Sequence, residues 1–157
     1  MKRWSPKWSE DERQDGYRGW QIGGAASFEQ VVAKSAIVSA GLFVRRDSMK
    51  LNSYSSTTAG FTLGIGGEIP FGINAGVSGG VSRAVYDAPQ MFFTPDPANP
   101  VQRKDWRYQA RVYLGLRKVR VLGFSPSVDY TYSQVSTNYP IYASTRHRVE
   151  FKLARYF

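Results

Sequence analysis

Three observations predict an all-β fold, an antiparallel up-and-down transmembrane β-barrel segment of about seven strands. Apolar residues recur at every second position through nearly the whole chain, in runs of roughly ten residues separated by turn signals. The opposite phase is filled with Gly, Ser, Thr and single Arg residues, not the Lys/Glu mixture of a solvated sheet. Finally, the connections alternate between long and short, as in outer-membrane barrels with short periplasmic turns and long extracellular loops. A soluble sandwich also alternates apolar and polar, but it has no reason to alternate its loop lengths.

The elements follow in order. "WQIGGAASF" is the weakest copy of the pattern, and "SAIVSAGLFV" sets Ala36, Val38, Ala40, Leu42 and Val44 against Ser35, Ser39 and Gly41. In "AGFTLGIGGEI", Phe61, Leu63, Ile65 and Ile69 oppose Thr62, Gly64, Gly66 and Glu68. "INAGVSGGVS" repeats this with Ile73, Ala75, Val77 and Val81. "WRYQARVYLGL" carries Trp106, Tyr108, Ala110, Val112, Leu114 and Leu116 on one phase, and Arg107, Gln109, Arg111 and Tyr113 on the other. "FSPSVDYTY" alternates Phe124, Pro126, Val128, Tyr130 and Tyr132 with Ser and Asp129, and "RHRVEFKLARYF" closes the chain on Phe157. No segment shows a helical period. Between the strands, "RRDSMKLNSYSST", "YDAPQMFFTPDPANPVQRKD" and "QVSTNYPIYAST" read as the long connections, and "EQVVAK", "EIPFG" and "RKVRVLG" as the short ones. Amphipathic rings are expected at strand ends, where they would form interfacial girdles: Trp20, Trp106, Tyr108, Tyr130 and Tyr132, with Phe28, Phe71 and Phe157.

Composition limits the alternatives. Cysteine is absent, which removes disulfides, thiolate chemistry and cysteine-ligated metals. A formal charge of +9 points to an anionic partner, either lipid headgroups or nucleic acid. No apolar run is long enough for a transmembrane helix. The opening "MKRWSPKWSEDERQDG" has no apolar stretch after its positive charges, so it does not read as a secretory signal. We expect residues 1–16 to be an extracellular loop or N-terminal remnant and 17–157 the barrel segment. An odd strand count conflicts with the even count of bacterial barrels, and an open sheet would leave two bare edges in hydrocarbon. The expectation is a fragment, a truncated gene product, or a chain that closes with partners.

Residues 123–157 resemble the C-terminal end of the surface lipoprotein assembly modifier family. The shared features are Gly-Phe-x-Pro-Ser at Gly123–Ser127, Tyr-x-Tyr at Tyr130–Tyr132, Pro-Ile-Tyr at Pro140–Tyr142 and Arg-His-Arg-Val at Arg146–Val149. The resemblance implies the C-terminal half of an outer-membrane barrel of about fourteen strands, preceded in the family by a periplasmic tetratricopeptide region. It implies a part in translocating or displaying surface lipoproteins; the alternative is a porin-like or structural barrel without dedicated cargo. The implied partners are outer-membrane lipids, the barrel assembly machinery and surface lipoproteins. The last strand also resembles the C-terminal signal read by that machinery, through Val149, Phe151, Leu153 and the terminal Phe157. Arg155 departs from the signal but lies where it can snorkel to headgroups.

Nothing in the chain reads as enzymatic. His147 is the only histidine, and Arg146 and Arg148 beside it build no base–acid relay. "LGIGG" and "GVSGG" lack the helix and the Gly-Lys-Ser/Thr ending of phosphate loops, so close packing is their expected role. Stacking on nucleic acid fails because Trp106 and Tyr108 lie on the opposite strand face from the arginines. We therefore expect no cofactor, metal or nucleic acid. Arg107, Arg111, Arg117, Arg148 and Lys152 are expected to point inward, paired with Asp129, Glu150 and Glu68. They would serve as a cargo contact or as structural ion pairs.

Overall fold

The computed structural model describes residues 18–32, 35–90, 94–119 and 123–154. The N-terminal segment 1–16 and the terminal Phe157 therefore lie outside the described residues. The rest is one all-β sheet of seven strands in the order β1-β2-β3-β4-β5-β6-β7, every neighbouring pair antiparallel. The strands are β1 (Gly19–Val32), β2 (Ala36–Met49), β3 (Ser56–Ile69), β4 (Ile73–Tyr86), β5 (Lys104–Leu116), β6 (Ser125–Thr137) and β7 (Ser144–Ala154). Two single-turn 3-10 helices, Asn52–Tyr54 and Pro140–Tyr142, sit in the connections, and no α-helix occurs among the described residues. The sheet is open: β1 and β7 are its edges.

The strands run 11 to 14 residues, longer than the ten or so expected. The surplus lies on the loop side except on β1, where Glu29–Val32, expected in the short connection, continues the strand and pairs with Ala36–Ser39. Arg45–Met49, expected in a long loop, continues β2 and pairs with β1 through Met49↔Gly19 and Asp47↔Gln21. That stretch has no apolar alternation because both of its faces are polar there, so the sequence pattern ends before the hydrogen-bond ladder does. The loop-length alternation is correspondingly weaker than expected. It holds for the connections at 33–35, 50–55, 70–72 and 87–103, but 138–143 is no longer than 117–124.

Register puts the alternation on two faces. The row Val38–Ile65–Val77–Val112–Tyr130–Val149 crosses six strands on one face. The adjacent row Ser39–Gly64–Ser78–Arg111–Thr131–Arg148 crosses the same strands on the other. The apolar face is largely uncovered: Leu42, Leu63, Ile65, Phe151 and Leu153 are each half or more exposed. The most deeply buried groups, Tyr139, Asp105, Ser55 and Ala84, cluster instead at the loop-side end.

Candidate functional site

On the apolar face each strand carries a nine-residue window free of charge: 20–28, 36–44, 61–69, 73–81, 108–116 and 124–132. On β7 the charge-free run on this face begins at Val149 and continues through Phe151 and Leu153. On the same face Arg46, Thr57, Arg83, Gln134 and His147 stand beyond the loop-side ends of these windows. The upper margin descends across the sheet. It lies at Val44 on β2, whereas on β7 it lies at Val149, which shares the row of Val38, six residues lower. With strands about 4.8 Å apart and about 3.3 Å rise per residue, that slope tilts the strands by roughly 35–40° against the band. Nine residues at this tilt make a band about 25 Å tall.

The tilt also settles where the expected interfacial aromatics lie. Trp20 and Tyr108 stand at the loop-side margin and Trp106 just beyond it, stacked on Tyr108 at 6.4 Å with the Arg83 guanidinium over its ring at 5.3 Å. Tyr130 and Tyr132, expected at a strand end, are instead in the middle of β6. Because the margin descends toward β7, mid-strand on β6 is still the edge of the band. There they enclose His147: Tyr130 Oη lies 2.8 Å from its Nδ1, and the Tyr132 ring centroid is 5.1 Å away.

The polar face carries the expected charged side chains as a lattice of ion pairs. Arg111 Nε donates to both carboxylate oxygens of Asp129 on the neighbouring strand, at 3.0 and 2.8 Å. Glu150 is shared along β7 by Arg148 and by Lys152, the latter at 2.9 Å. Arg107 reaches Asp105 at 3.6 Å, a partner that the sequence pattern did not offer. Arg117 lies just past the end of β5, in the short connection, and meets Glu68 at 3.6 Å. On the polar face of the strands, cations and carboxylates balance: Arg45, Arg107, Arg111, Arg146, Arg148 and Lys152 are matched by Glu29, Asp47, Glu68, Asp105, Asp129 and Glu150. They are not mixed evenly, since the cations concentrate on β5–β7 and leave β2–β4 lined mainly with Gly, Ser and Thr. Gly60 is one place where that smallness is required, because a Cβ there would come within 2.7 Å of the Phe43 ring lying over it.

A third cluster, invisible in local sequence, ties the long connections together. Arg103 makes a two-pronged contact with fully buried Asp105, at 2.8 and 2.6 Å, and its guanidinium lies between the rings of Tyr86 (4.6 Å) and Tyr142 (3.6 Å). Buried Tyr139 donates its hydroxyl to the Val101 carbonyl at 2.6 Å and accepts from the Gln90 N–H at 3.3 Å. Asn138 bridges Lys104 N and the Gln102 carbonyl, and Arg46 grips Asp87 with both terminal nitrogens, one at 2.7 Å. Hydrogen bonding from Arg46 holds the Asp87 carboxyl below the ordinary carboxylate range. Asn99 and the Ala98 N–H do the same for Asp96 in the 87–103 connection. No group of three or more potential metal ligands occurs among the described residues.

A family model described as surface lipoprotein assembly modifier matches residues 6–157. The chain belongs to the surface lipoprotein assembly modifier family. A family relative from Pasteurella multocida (strain Pm70), itself named surface lipoprotein assembly modifier, is 26% identical over 121 residues. That alignment covers 74% of this chain and 24% of the relative, so the chain spans about a quarter of the length of this curated modifier. No solved structure matches the chain.

Proposed function

We propose that this chain is an outer-membrane β-barrel portion of a factor that assists the translocation or display of surface lipoproteins. The observation that carries the membrane reading is the tilted, charge-free band on one face. Its height of about 25 Å and its aromatic margin meet the requirements of a barrel's lipid-facing surface. Cargo enters through the family to which the chain belongs.

In this reading the loop side faces the exterior, the short turns face the periplasm, and the ion-pair lattice lines the interior. Because β1 and β7 of the meander run in the same direction, an antiparallel ring requires an odd number of further strands between them. About seven more would give an even-numbered barrel of about fourteen. A second copy of this sheet, turned about the barrel axis, would form two parallel seams and so would not complete an antiparallel ring. The role is non-enzymatic: the partners of His147 among the described residues are tyrosines, which form no nucleophile–base–acid relay. Outer-membrane lipids and the barrel assembly machinery are the further partners, and nucleic acid is not one.

Surface display of a co-expressed lipoprotein, measured by antibody labelling of intact cells, should be lost on deleting the gene and restored by the intact copy. Unchanged display would leave a porin-like barrel and sink the cargo role. The membrane assignment has a separate test: purified protein that stays soluble and monomeric without detergent would overturn it.

A further inference from the structure

We propose that the apolar face carries a seat for one acyl chain of an anionic phospholipid, near the turn-side end of β2–β5. The proposal rests on the membrane assignment above. The row Ala36–Gly67–Ala75 steps down to small residues between the larger side chains of the row Val38–Ile65–Val77–Val112 and those of Ile69 and Ile73. Leu114 closes the depression at β5. The result is an almost wholly apolar groove of about 510 Å³. A groove of this kind in a lipid-facing surface holds hydrocarbon, and its volume is of the order of one acyl chain.

Charge selects the headgroup. Lys118 lies two residues past the end of β5, beside the turn at 70–72 that follows the groove-lining Ile69. Its stem rests on Gly72, whose backbone is left-handed (φ +73°), and a Cβ at that position would come within 2.4 Å of Lys118 Cγ. The glycine thus provides the bed that sets the ammonium at the level of the turns, and among the described residues no carboxylate pairs with it. Next to Gly72, Phe71 is held at φ 75° with its side chain 83% exposed. A bulky residue in that conformation costs free energy, and membrane contact at the headgroup level gives its ring a use. Arg117 is engaged with Glu68 and does not compete for the headgroup.

The test uses purified protein reconstituted into bilayers of equal parts phosphatidylglycerol and phosphatidylcholine, re-extracted in mild detergent and weighed intact by native mass spectrometry. Phosphatidylglycerol should be the retained species. Lys118→Glu should cut its preference over phosphatidylcholine by about fivefold or more, the worth of one interfacial cation. Ala75→Leu should reduce retention of both lipids by filling the groove. Equal retention of the two lipids by the native protein would refute the proposal, as would variants indistinguishable from it. Retention of an acylated peptide in place of phosphatidylglycerol would also refute it, and would assign the groove to lipoprotein. If the protein does not enter bilayers even together with the strands that complete the ring, the membrane assignment has failed first, and the two failures are told apart by that step.

Discussion

Asp105→Asn is the sharpest perturbation of the loop-side cluster. Asp105 is fully buried and takes both nitrogens of Arg103, whose guanidinium is itself about nine-tenths covered between Tyr86 and Tyr142. Breaking a buried pair by neutralising one partner costs about 3–5 kcal/mol, because the remaining charge stays desolvated. Asparagine keeps the shape and one acceptor, and the two rings keep their cation–π contacts, so the lower end, about 3 kcal/mol, is expected. Trp106 is adjacent in sequence and reports the transition: urea unfolding in phospholipid vesicles, followed by tryptophan fluorescence, should give a lower midpoint with an unchanged slope. The double variant Arg103→Leu, Asp105→Leu should lose less than the sum of the single leucine variants, since the one charge that then lacks its partner, Arg107, is partly exposed to solvent. A loss under about 1 kcal/mol for Asp105→Asn, or a double variant at or beyond that sum, would refute the account of a desolvated, mutually dependent pair.

Three further outcomes follow from the same geometry. Tyr139→Phe leaves the Val101 carbonyl and the Gln90 N–H without their partner and should cost about 1–3 kcal/mol, read as faster protease cleavage within the connection at 87–103; an unchanged cleavage rate would count against the latch. Because Arg46 lowers the Asp87 pKa in the folded state, the pair's contribution is present above the unfolded carboxylate pKa of 3.8 and is lost as pH falls through the lower folded value. Asp87→Asn should flatten the acid limb of the stability curve, and an unaltered limb would show that Asp87 does not contribute to it. Phe151→Arg, on the outer phase of β7, should cost about 2–4 kcal/mol in bilayer-folded protein if the band is lipid-facing, whereas a loss below about 0.5 kcal/mol, the range of a tolerated surface change, would place that face in water.

The strand count, the meander and both faces were legible because period two needs only local sequence, and neighbouring strands in a meander pair by default. Arg111 with Asp129 and Lys152 with Glu150 were legible for the same reason, since register or strand spacing brings them together. Two kinds of feature were not. Strand ends beyond the band, such as Arg45–Met49, carry no alternation, so loops looked longer and strands shorter than they are. The Arg103–Asp105 and Tyr139 cluster joins residues far apart in sequence through connections with no period, and its burial arises only when three connections meet. Tyr130 and Tyr132 were expected at a strand end because the alternation stops at Tyr132, whereas β6 runs on to Thr137.

The meander has a kinetic consequence. Each strand bonds only to its predecessor and successor, so the sheet can grow one hairpin at a time, and no closure is longer than the 87–103 connection between β4 and β5. No pairing spans more than one hairpin, and loop-closure entropy rises only slowly over that one long connection. The cluster around Asp105 and Tyr139 needs β4, β5 and the β6–β7 connection in place, so it is expected to form late. Pulse-labelled amide exchange would detect that order as protection of β3–β4 before Lys104–Arg107. Protection at both in a single phase would show instead that the sheet assembles as one unit.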